Sequence, residues 1–490
     1  MIKKYASVIA AFITLSVSYT ENAHAQIVGT EAYIKGNYVE IGIAGVGGYE
    51  GAYITTAPVP AGMHYRSNTN FFGFVANPQM NGWAGSAYDG DFFTPGTPEN
   101  GWGLMIDTAT ATSASNNCES VSWILGSITS YSYSAPYYSV DWEGDDTVGT
   151  SLHVKINYLL NENDLFYTTT VWITNNTAAA IPHIYFYRNV DPDNNALLTG
   201  DYTTHNTVVD QAPGYGGSTL PIVSAAQYMP SNSYFAFVGD TTFKAGFGGF
   251  DNRNALDLYN GAPGYFQAIG ATDTADVAIF LASDIRNLLP NDTSMHVHRS
   301  TLASNTRSFS YITLFDSTAM SCAIRTMHVT QAAYPELSAT GAAITLVGNP
   351  SGGTFTGTGV SGNMFDPTAS GAGTFDIIYF YTDSTGCTGH AVSQVHVVDL
   401  TTGIAANTMN AHVSLYPNPF SDETTISVGN SVKIENASVH IYDMVGNEVK
   451  VVAATSNEIK IDRKGLAGGM YFYKLINNNK QIASGKIVIR

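Results

Sequence analysis

Hydrophobic and polar residues alternate with a period of two along most of the first two thirds of the chain. Runs of this kind are typical of β-strands that bury one face. Gly, Asn, Asp and Pro separate the runs, and no comparable series of long amphipathic helices is present. Region 26–330 is therefore predicted to form one large β-sandwich whose sheets leave one face solvated. The clearest runs lie at 38–44, 151–160, 165–176, 181–190, 276–283 and 308–315.

Two smaller β-rich regions follow. Region 331–400 contains short strand patterns separated by Gly and Pro turns, at a spacing that suits a small Greek-key sandwich. A linker of small residues, 401–411, leads to region 412–490, where at least five strand patterns are enough for another compact sandwich. The predicted fold class is all-β, with three sandwich domains in a row.

The amino-acid composition agrees with an all-β fold, and the distribution of charged residues restricts the classes of binding partner. Only 12% of the residues are charged, whereas 30 Tyr and 47 Gly agree with strands joined by tight turns. Region 26–411 carries 10 Lys and Arg against 31 Asp and Glu, while region 412–490 carries 9 against 7. The acidic region argues against nucleic acid and anionic membranes as partners. It is compatible with divalent cations or simply with solubility.

The N-terminus has the three parts of a secretory signal peptide. Lys3 and Lys4 precede an apolar run of about a dozen residues, and Ala23-His24-Ala25 offers a small-residue cleavage site. The run is too short for a membrane-spanning helix, and no other stretch is long enough. Residues 1–25 are therefore predicted to be a removed signal peptide, with a buried N-terminal helix as the alternative.

The cysteines indicate that disulfides contribute little. A secreted chain meets an oxidising compartment, yet only Cys118, Cys322 and Cys387 are present. Cys118 and Cys322 both lie in the large region and are the expected pair. Cys387 lies in the next region and is expected to be the odd cysteine, unless its partner lies outside its own domain.

Several pieces of the last 80 residues agree in order with one known family. Tyr416-Pro417-Asn418-Pro419-Phe420 is followed by "ASVHIYDMVGNEV" with Gly446, by "GLAGGMYFYKL" with Gly468, Gly469 and Tyr471, and by "ASGKIVIR". This set closely resembles the type A C-terminal sorting domain of the type IX secretion system. Because proline cannot donate to a β-ladder, Pro417 and Pro419 also predict a stiff, unpaired entry to the domain.

The resemblance implies a route out of the cell. Such proteins cross to the periplasm by Sec-dependent export, and the outer-membrane secretion machinery then recognises the sorting domain. The expected location is outside the cell or on the outer-membrane surface, either released or anchored. The implied partner is therefore the type IX machinery, reached without a transmembrane segment.

Region 331–400 resembles the immunoglobulin-like or PKD-like repeats of large surface proteins of the Bacteroidota. The resemblance rests on the Gly352-Gly353-Thr354-Phe355 turn, the Gly357-x-Gly359-Val360 step and Tyr381-Thr382-Asp383 before Gly386-Cys387. The region departs from many such repeats because its first strand has no cysteine. The resemblance implies a small immunoglobulin-like sandwich that acts as a spacer.

Two groups of acidic residues are candidate cation sites. Asp191, Asp193 and Asn195 alternate oxygen ligands after a predicted strand, which suits calcium, although the pattern departs from an EF-hand loop. The alternative is a proline-stiffened Asx turn that caps the strand. Asp141, Glu143 and Asp145 surround Trp142 and predict either a second cation site or a solvated acidic loop. Calcium is the one cofactor that these residues suggest.

Aromatic residues beside acids indicate a glycan contact. Asp89, Asp91 and Trp102 lie in such a stretch, because aromatic rings stack on sugars while carboxylates accept hydroxyl protons. The alternative places these rings in the sandwich core. No sequence motif for nucleophilic, metalloprotease or nucleotide chemistry is recognisable. The leading hypothesis is a secreted or surface binding protein, an adhesin or glycan-binding protein; the alternatives are a secreted carbohydrate-active or other hydrolase and a structural component of an extracellular layer.

Overall fold

A computed structural model describes residues 25–65, 69–83, 99–106, 112–147, 151–194, 196–227, 233–249, 253–289, 305–399, 413–429, 433–478 and 480–490. The fold is all-β, as the sequence predicts. The chain folds into two compact units, and the boundary between them lies between Val398 and Asp399. Within the described ranges no helix has the length and apolar character needed to cross a membrane. The predicted signal peptide lies outside the described residues except for Ala25.

The first unit begins with a series of strands that contains all six of the clearest sequence runs. Its first twenty strands are β1 (Ala25–Val28), β2 (Glu31–Lys35), β3 (Val39–Ile43), β4 (Ala52–Tyr53), β5 (Phe71–Phe72), β6 (Phe74–Ala76), β7 (Asn100–Ile106), β8 (Thr112–Asn117), β9 (Ile124–Ser134), β10 (Tyr137–Asp146), β11 (Leu152–Asn161), β12 (Phe166–Asn175), β13 (Ile181–Val190), β14 (Thr204–Asp210), β15 (Ile222–Gln227), β16 (Tyr234–Gly239), β17 (Phe243–Phe247), β18 (Thr272–Ala275), β19 (Ile279–Leu288) and β20 (Thr306–Leu314). The helices among them are α1 (Ala196–Thr199), α2 (Ala255–Asn260) and the 3-10 turn Pro213–Tyr215.

Strands β7 to β20 form two large sheets that share one hydrophobic core, while β1 to β6 form two smaller sheets with the orders β1-β2-β3-β6 and β4-β5. One sheet has the order β18-β14-β15-β16-β20-β12-β11-β10-β9, and the other has the order β17-β19-β13-β7-β8. Inward-facing side chains of both sheets belong to the same buried cluster. The rings of Phe186 on β13 and Phe309 on β20, for example, lie 4.7 Å apart. Apolar side chains at every second position build this shared core. The prediction that each sheet leaves one face solvated is wrong for β12 and β13, because both strands are buried at nearly every position.

A buried ion pair crosses this core. The alternation along β13 places Arg188 on the same inward face as Phe186, and its side chain is 1% exposed. Arg188 Nη2 lies 2.9 Å from Oε2 of Glu50, and the other carboxylate oxygen of Glu50, Oε1, accepts a hydrogen bond from the Tyr167 hydroxyl. A guanidinium in a hydrophobic core requires a carboxylate partner of this kind.

The remainder of the first unit, residues 317–398, has its own sheets and its own hydrophobic cluster. Its elements are the 3-10 turn Ser317–Ala319, α3 (Met320–Met327), β21 (Thr330–Gln331), β22 (Leu337–Ser338), β23 (Ile344–Thr345), β24 (Gly348–Asn349), β25 (Thr354–Thr356), β26 (Val360–Ser361), β27 (Met364–Phe365), α4 (Pro367–Ser370), β28 (Gly373–Thr382) and β29 (Thr388–Val398). The main sheet has the order β22-β29-β28-β25.

The disulfide differs from the expected pair. Cys322 on α3 bonds to Cys387 in the turn between β28 and β29, with the two Cα atoms 5.6 Å apart. The predicted Cys118–Cys322 bridge is wrong, because Cys118 follows β8 and its thiol is buried in the sandwich core. Lys155 also forms an ion pair with Asp376 on β28, so residues 331–398 are held to the large sandwich within one unit.

The second unit is a small sandwich with a separate core. Its strands are β30 (Val413–Tyr416), β31 (Glu423–Val428), β32 (Ala437–Tyr442), β33 (Glu448–Ala454), β34 (Glu458–Asp462), β35 (Gly469–Asn477) and β36 (Lys480–Ile489). One sheet has the order β30-β31-β34, and the other has the order β33-β32-β35-β36. Every strand pattern that the sequence offers in this region corresponds to one of these strands.

Candidate functional site

An acidic cluster lies where β13 ends and the chain enters β19. The two strands are antiparallel neighbours, with Val190 opposite Ile279. Asp191 therefore follows one strand at the point where Asp276 precedes the other. Asp193 joins them, and one carboxylate oxygen from each of the three lies within 4.8 Å of the others.

Two of these three carboxylates are deeply buried. Asp191 is 2% exposed and Asp193 is 3% exposed, whereas Asp276 is exposed. Among the described residues, neither oxygen of Asp191 has a hydrogen-bond donor, and the same is true of Oδ1 of Asp193. Burial, reinforced by the charge of Asp276, raises the pKa of Asp191 well above its usual range. Burial and the neighbouring Asp191 raise the pKa of Asp193 to about 10.

Two arginines of the large sandwich are paired with glutamates. Arg253 donates to Glu99 and to Glu119, with Nη2 2.6 Å and 2.9 Å from their carboxylates. Arg188 is bound to Glu50 in the core. No ion pair of the described chain involves a member of the acidic cluster. The cluster therefore brings three acidic groups together without a basic side-chain partner in the described part of the structure.

The turn after β13 has a defined backbone. The amide of Asp191 donates to the carbonyl of Glu99 at 2.8 Å, and the amide of Asp193 donates to the carbonyl of Asp191 at 3.1 Å. Asn194 Nδ2 donates to the carbonyls of Ala225 and Ser233, which fixes the turn against β15. In an Asx turn, a carboxylate oxygen of Asp191 would accept a backbone amide, and no such bond exists among the described residues.

The structure changes the composition of the predicted site. It brings Asp191 and Asp193 together, and Asn195 lies outside the described residues. Asp276 is a member that sequence reasoning missed, because it is 83 positions beyond Asp193 and only the pairing of β13 with β19 brings it close. An acidic residue immediately before a strongly apolar strand is the only sequence signal that marks it.

The carboxylates of the second predicted acidic group do not come together in the structure. Asp141, Glu143 and Asp145 lie at alternate positions of β10, so successive residues are about 7 Å apart along the strand. Asp141 contacts Lys155 at 3.7 Å and accepts a hydrogen bond from Asn157 at 2.7 Å. Glu143 and Asp145 both pair with His153. The structure therefore does not bring these three carboxylates together, and each has a protein partner on β11.

A separate open pocket lies beside the hairpin of β2 and β3 and has a volume of about 470 Å³. The rings of His64 and Trp83 are stacked there, with centroids 4.1 Å apart and planes 4° from parallel. Its other lining residues are Lys35, Gly36, Asn37, Tyr38, Met80 and Gly82.

Buried groups hold the aromatic pair in place. Glu40 is fully buried and accepts hydrogen bonds from both the backbone amide and Nδ1 of His64, at 2.6 Å and 2.9 Å. The Trp83 indole donates to the carbonyl of Asn37 at 2.8 Å. Trp83 and Met80 both have left-handed backbone conformations, with φ of 62° and 51°. Such conformations are costly for large side chains and often occur at functional sites.

The predicted glycan-contact residues lie elsewhere or outside the described residues. Trp102 is 1% exposed, and its indole donates to the carbonyls of Gly47 and Gly48 in the sandwich core. A surface role for Trp102 is therefore wrong, and the alternative that this ring fills the core is correct. Asp89 and Asp91 lie outside the described residues. Sequence reasoning missed Trp83 because its environment depends on the distant hairpin.

The Tyr-Pro-Asn-Pro-Phe segment is bonded to the last strand. Asn418 Nδ2 donates to the carbonyl of Lys486, and its Oδ1 accepts the amide of Val488, both at 2.8 Å. The Phe420 amide donates to the carbonyl of Val488 at 3.0 Å, and the Phe420 ring is buried in the core. The expectation of an unpaired entry is wrong: the prolines donate nothing, but Asn418 and Phe420 pair with β36.

The other residues of the predicted sorting motif have structural roles. Gly446 has a φ of 93° in the tight turn between β32 and β33, where Asp443 accepts the amides of Val445 and Asn447. Tyr471 is buried, and its hydroxyl donates to the carbonyl of Ala467 at 3.1 Å. Gly468 and Gly469 lie at the start of β35.

Comparison with known proteins identifies this last region. Residues 414–490 match the family described as the secretion system C-terminal sorting domain. The match indicates a secreted protein that the type IX secretion system exports to the cell surface or beyond it. A domain of this family implies engagement with that machinery. No curated protein is similar enough to match the chain.

Several solved structures resemble the chain, but only distantly. A polysaccharide lyase has 9% sequence identity and a TM-score of 0.24, with 80% of this chain and 39% of the lyase covered. A galactose mutarotase-like protein from Clostridium acetobutylicum has 12% identity and a TM-score of 0.26, with 60% and 97% covered. An aldose 1-epimerase from Klebsiella pneumoniae has 9% identity and a TM-score of 0.25, with 62% and 85% covered. The chain thus spans well under half of the lyase, and likeness at this level carries no functional argument.

Proposed function

We propose that the protein is an exported binding protein that recognises glycans through the pocket lined by His64 and Trp83. The observation that carries this proposal is the stacked, nearly parallel ring pair in an open pocket. Flat aromatic rings bind the apolar faces of sugars, while polar side chains around them bind the hydroxyl groups. Lys35, Asn37 and Tyr38 supply such groups at this pocket.

Two features favour binding over hydrolysis. The described lining residues of this pocket include no carboxylate, and Glu40 lies behind His64 with its side chain fully buried. A second pocket of about 310 Å³ has one described carboxylate, Asp240, among its lining residues. A glycosidase ordinarily requires two carboxyl groups about 5 to 10 Å apart across the substrate. Neither pocket offers such a pair among the described residues.

One observation favours a hydrolase as the second candidate. The hydrogen bond that His64 Nδ1 donates to Glu40 is the arrangement that orients a histidine as a general base. The described lining residues of the pocket include no serine, threonine or cysteine that could act as a nucleophile. A structural role in an extracellular layer is the third candidate and needs no ligand.

The finer identity of the protein belongs to the same proposal. We infer an origin in the Bacteroidota from the sequence resemblances, and we propose that region 331–400 is an immunoglobulin-like spacer that carries the binding sandwich. The surface role would be that of an adhesin. The small sheets and separate hydrophobic cluster of this region support the spacer, although it belongs to the same compact unit as the sandwich.

A glycan array probed with the exported chain tests the function. We expect binding to a restricted set of oligosaccharides and, in calorimetry with the best glycan, an affinity loss of about tenfold or more for Trp83→Ala, which corresponds to about 1.4 kcal/mol. Trp123→Ala is the matched control, because Trp123 is also a half-buried tryptophan packed at the edge of a hydrophobic cluster.

Three results would overturn the proposal. The first is an array without any bound glycan, which would leave the structural role. The second is unchanged affinity in Trp83→Ala. The third is release of new reducing ends from the bound glycan by the wild-type protein but not by His64→Ala, which would establish the hydrolase.

A further inference from the structure

We propose that Asp191, Asp193 and Asp276 bind a calcium ion that ties the end of β13 to the segment entering β19. The site is separate from the glycan pocket and does not depend on it. It rests on two independent observations: the convergence of three carboxylates and the unpartnered oxygens of buried side chains at their centre.

Burial gives the first reason for a cation. Removing a carboxylate from water is very costly unless a charge or several donors replace the lost hydration. Asp191 and Asp193 are both more than nine-tenths buried, and at Asp191 no described donor contacts either oxygen. A bound cation in contact with these oxygens would supply the missing compensation.

The arrangement of charge gives the second reason. Two buried carboxylates lie close to a third, and no ion pair of the described chain involves any of the three. The side chains of Arg188 and Arg253 are bound to glutamates instead. Asp276 is exposed, so one side of the cluster opens to solvent. A hydrated ion can enter on that side and exchange part of its water for the buried oxygens.

The ligand chemistry selects calcium. All three described ligands are carboxylates, which suit hard cations rather than the nitrogen- and sulfur-preferring transition metals. Calcium accepts six to eight oxygens in flexible geometry, whereas magnesium demands a near-ideal octahedron and retains most of its water. Two ligands that are almost completely shielded from solvent favour the ion that loses its water more readily.

Calorimetry and thermal unfolding of the exported chain, after chelator treatment and dialysis, test the site. We expect one calcium site and a rise in the unfolding temperature of at least about 3 °C at calcium concentrations 100-fold above Kd. Magnesium chloride at the same concentration should raise it less. Absence of calcium binding, or an equal or larger response to magnesium, would overturn the assignment.

Variants separate a cation ligand from a merely structural aspartate. Asp276→Asn changes an exposed residue and should weaken calcium binding at least about tenfold. Asp191→Asn should abolish the calcium-dependent shift, yet without calcium it should be about as stable as wild type, because Asn is similar in size and no ion pair of the described chain depends on Asp191.

The matched control is Asp145→Asn, an acid of the β10 group that pairs with His153 instead. It should keep the full calcium response. If Asp191→Asn lowers the unfolding temperature equally with and without calcium, or if Asp145→Asn loses the response while Asp276→Asn keeps it, the proposed site is wrong.

Discussion

At the scale of single residues, side chains of the same motif have opposite roles. Phe420 is 2% exposed and packs in the core of the sorting domain, whereas Tyr416 is 54% exposed. Phe420→Ala should lower the free energy of unfolding of this unit by about 3 to 5 kcal/mol, because it removes a large buried ring. Tyr416→Ala should change it by about 0.5 kcal/mol or less.

Hydrogen–deuterium exchange of β36 peptides measures this difference locally. All five tryptophans lie before residue 173, so tryptophan fluorescence does not report on this unit. Amide hydrogens of β36 that exchange only when the unit unfolds should exchange at least 100-fold faster in Phe420→Ala than in wild type. In Tyr416→Ala their exchange rate should be nearly unchanged. Equal protection in the two variants would contradict the role of Phe420 as a core residue.

At the scale of elements, an aromatic contact joins β10 to β28 and β29. The rings of Tyr137 and Phe380 are stacked 4.0 Å apart, and His390 lies beside both. Burial lowers the pKa of His390 to about 4 from an ordinary value of 6.5. The unfolded chain therefore binds this proton more readily, so stability is present above pH 6.5 and is lost as the pH falls toward 4.

The expected loss from this one group is up to about 3 kcal/mol between pH 6.5 and pH 4. His390→Phe fits the aromatic surroundings and cannot be protonated, so its unfolding free energy should fall less over this range. His205→Gln, at an exposed histidine, should keep the wild-type slope. Identical slopes in wild type and His390→Phe, measured by urea unfolding, would refute this account.

The sequence predicts individual strands, but it does not predict which distant residues the strands bring together. Period-two alternation predicts β11, β12 and β13, because each strand depends on local pattern alone. The partners do not follow from pattern: Glu50 for Arg188, Cys387 for Cys322 and Asp276 for Asp191 are all distant in sequence. Strand register and helix docking decide these pairs. At the first acidic group the structure brings Asp191 and Asp193 together, and Asp276 joins them only through the pairing of β13 with β19.

At the scale of the whole molecule, the large sandwich and the sorting domain belong to different compact units. Residues up to Val398 form one compact unit with an excess of acidic over basic residues, and residues from Asp399 form another with nearly balanced charge. Each unit has its own hydrophobic core. Export and ligand binding should therefore respond to different substitutions: Phe420→Ala should impair secretion, while Trp83→Ala should leave secretion unchanged and impair binding.

Deletion of residues 414–490 tests this separation. Because the match to the sorting family covers the deleted residues and nothing before them, the truncated chain should accumulate in the periplasm instead of reaching the surface. Fractionation of the producing cells and surface proteolysis of intact cells measure the two populations. Full-length Trp83→Ala, which keeps the sorting domain, is the control and should be exported like wild type. Surface display of the truncated chain would show that another part of the protein carries the export signal.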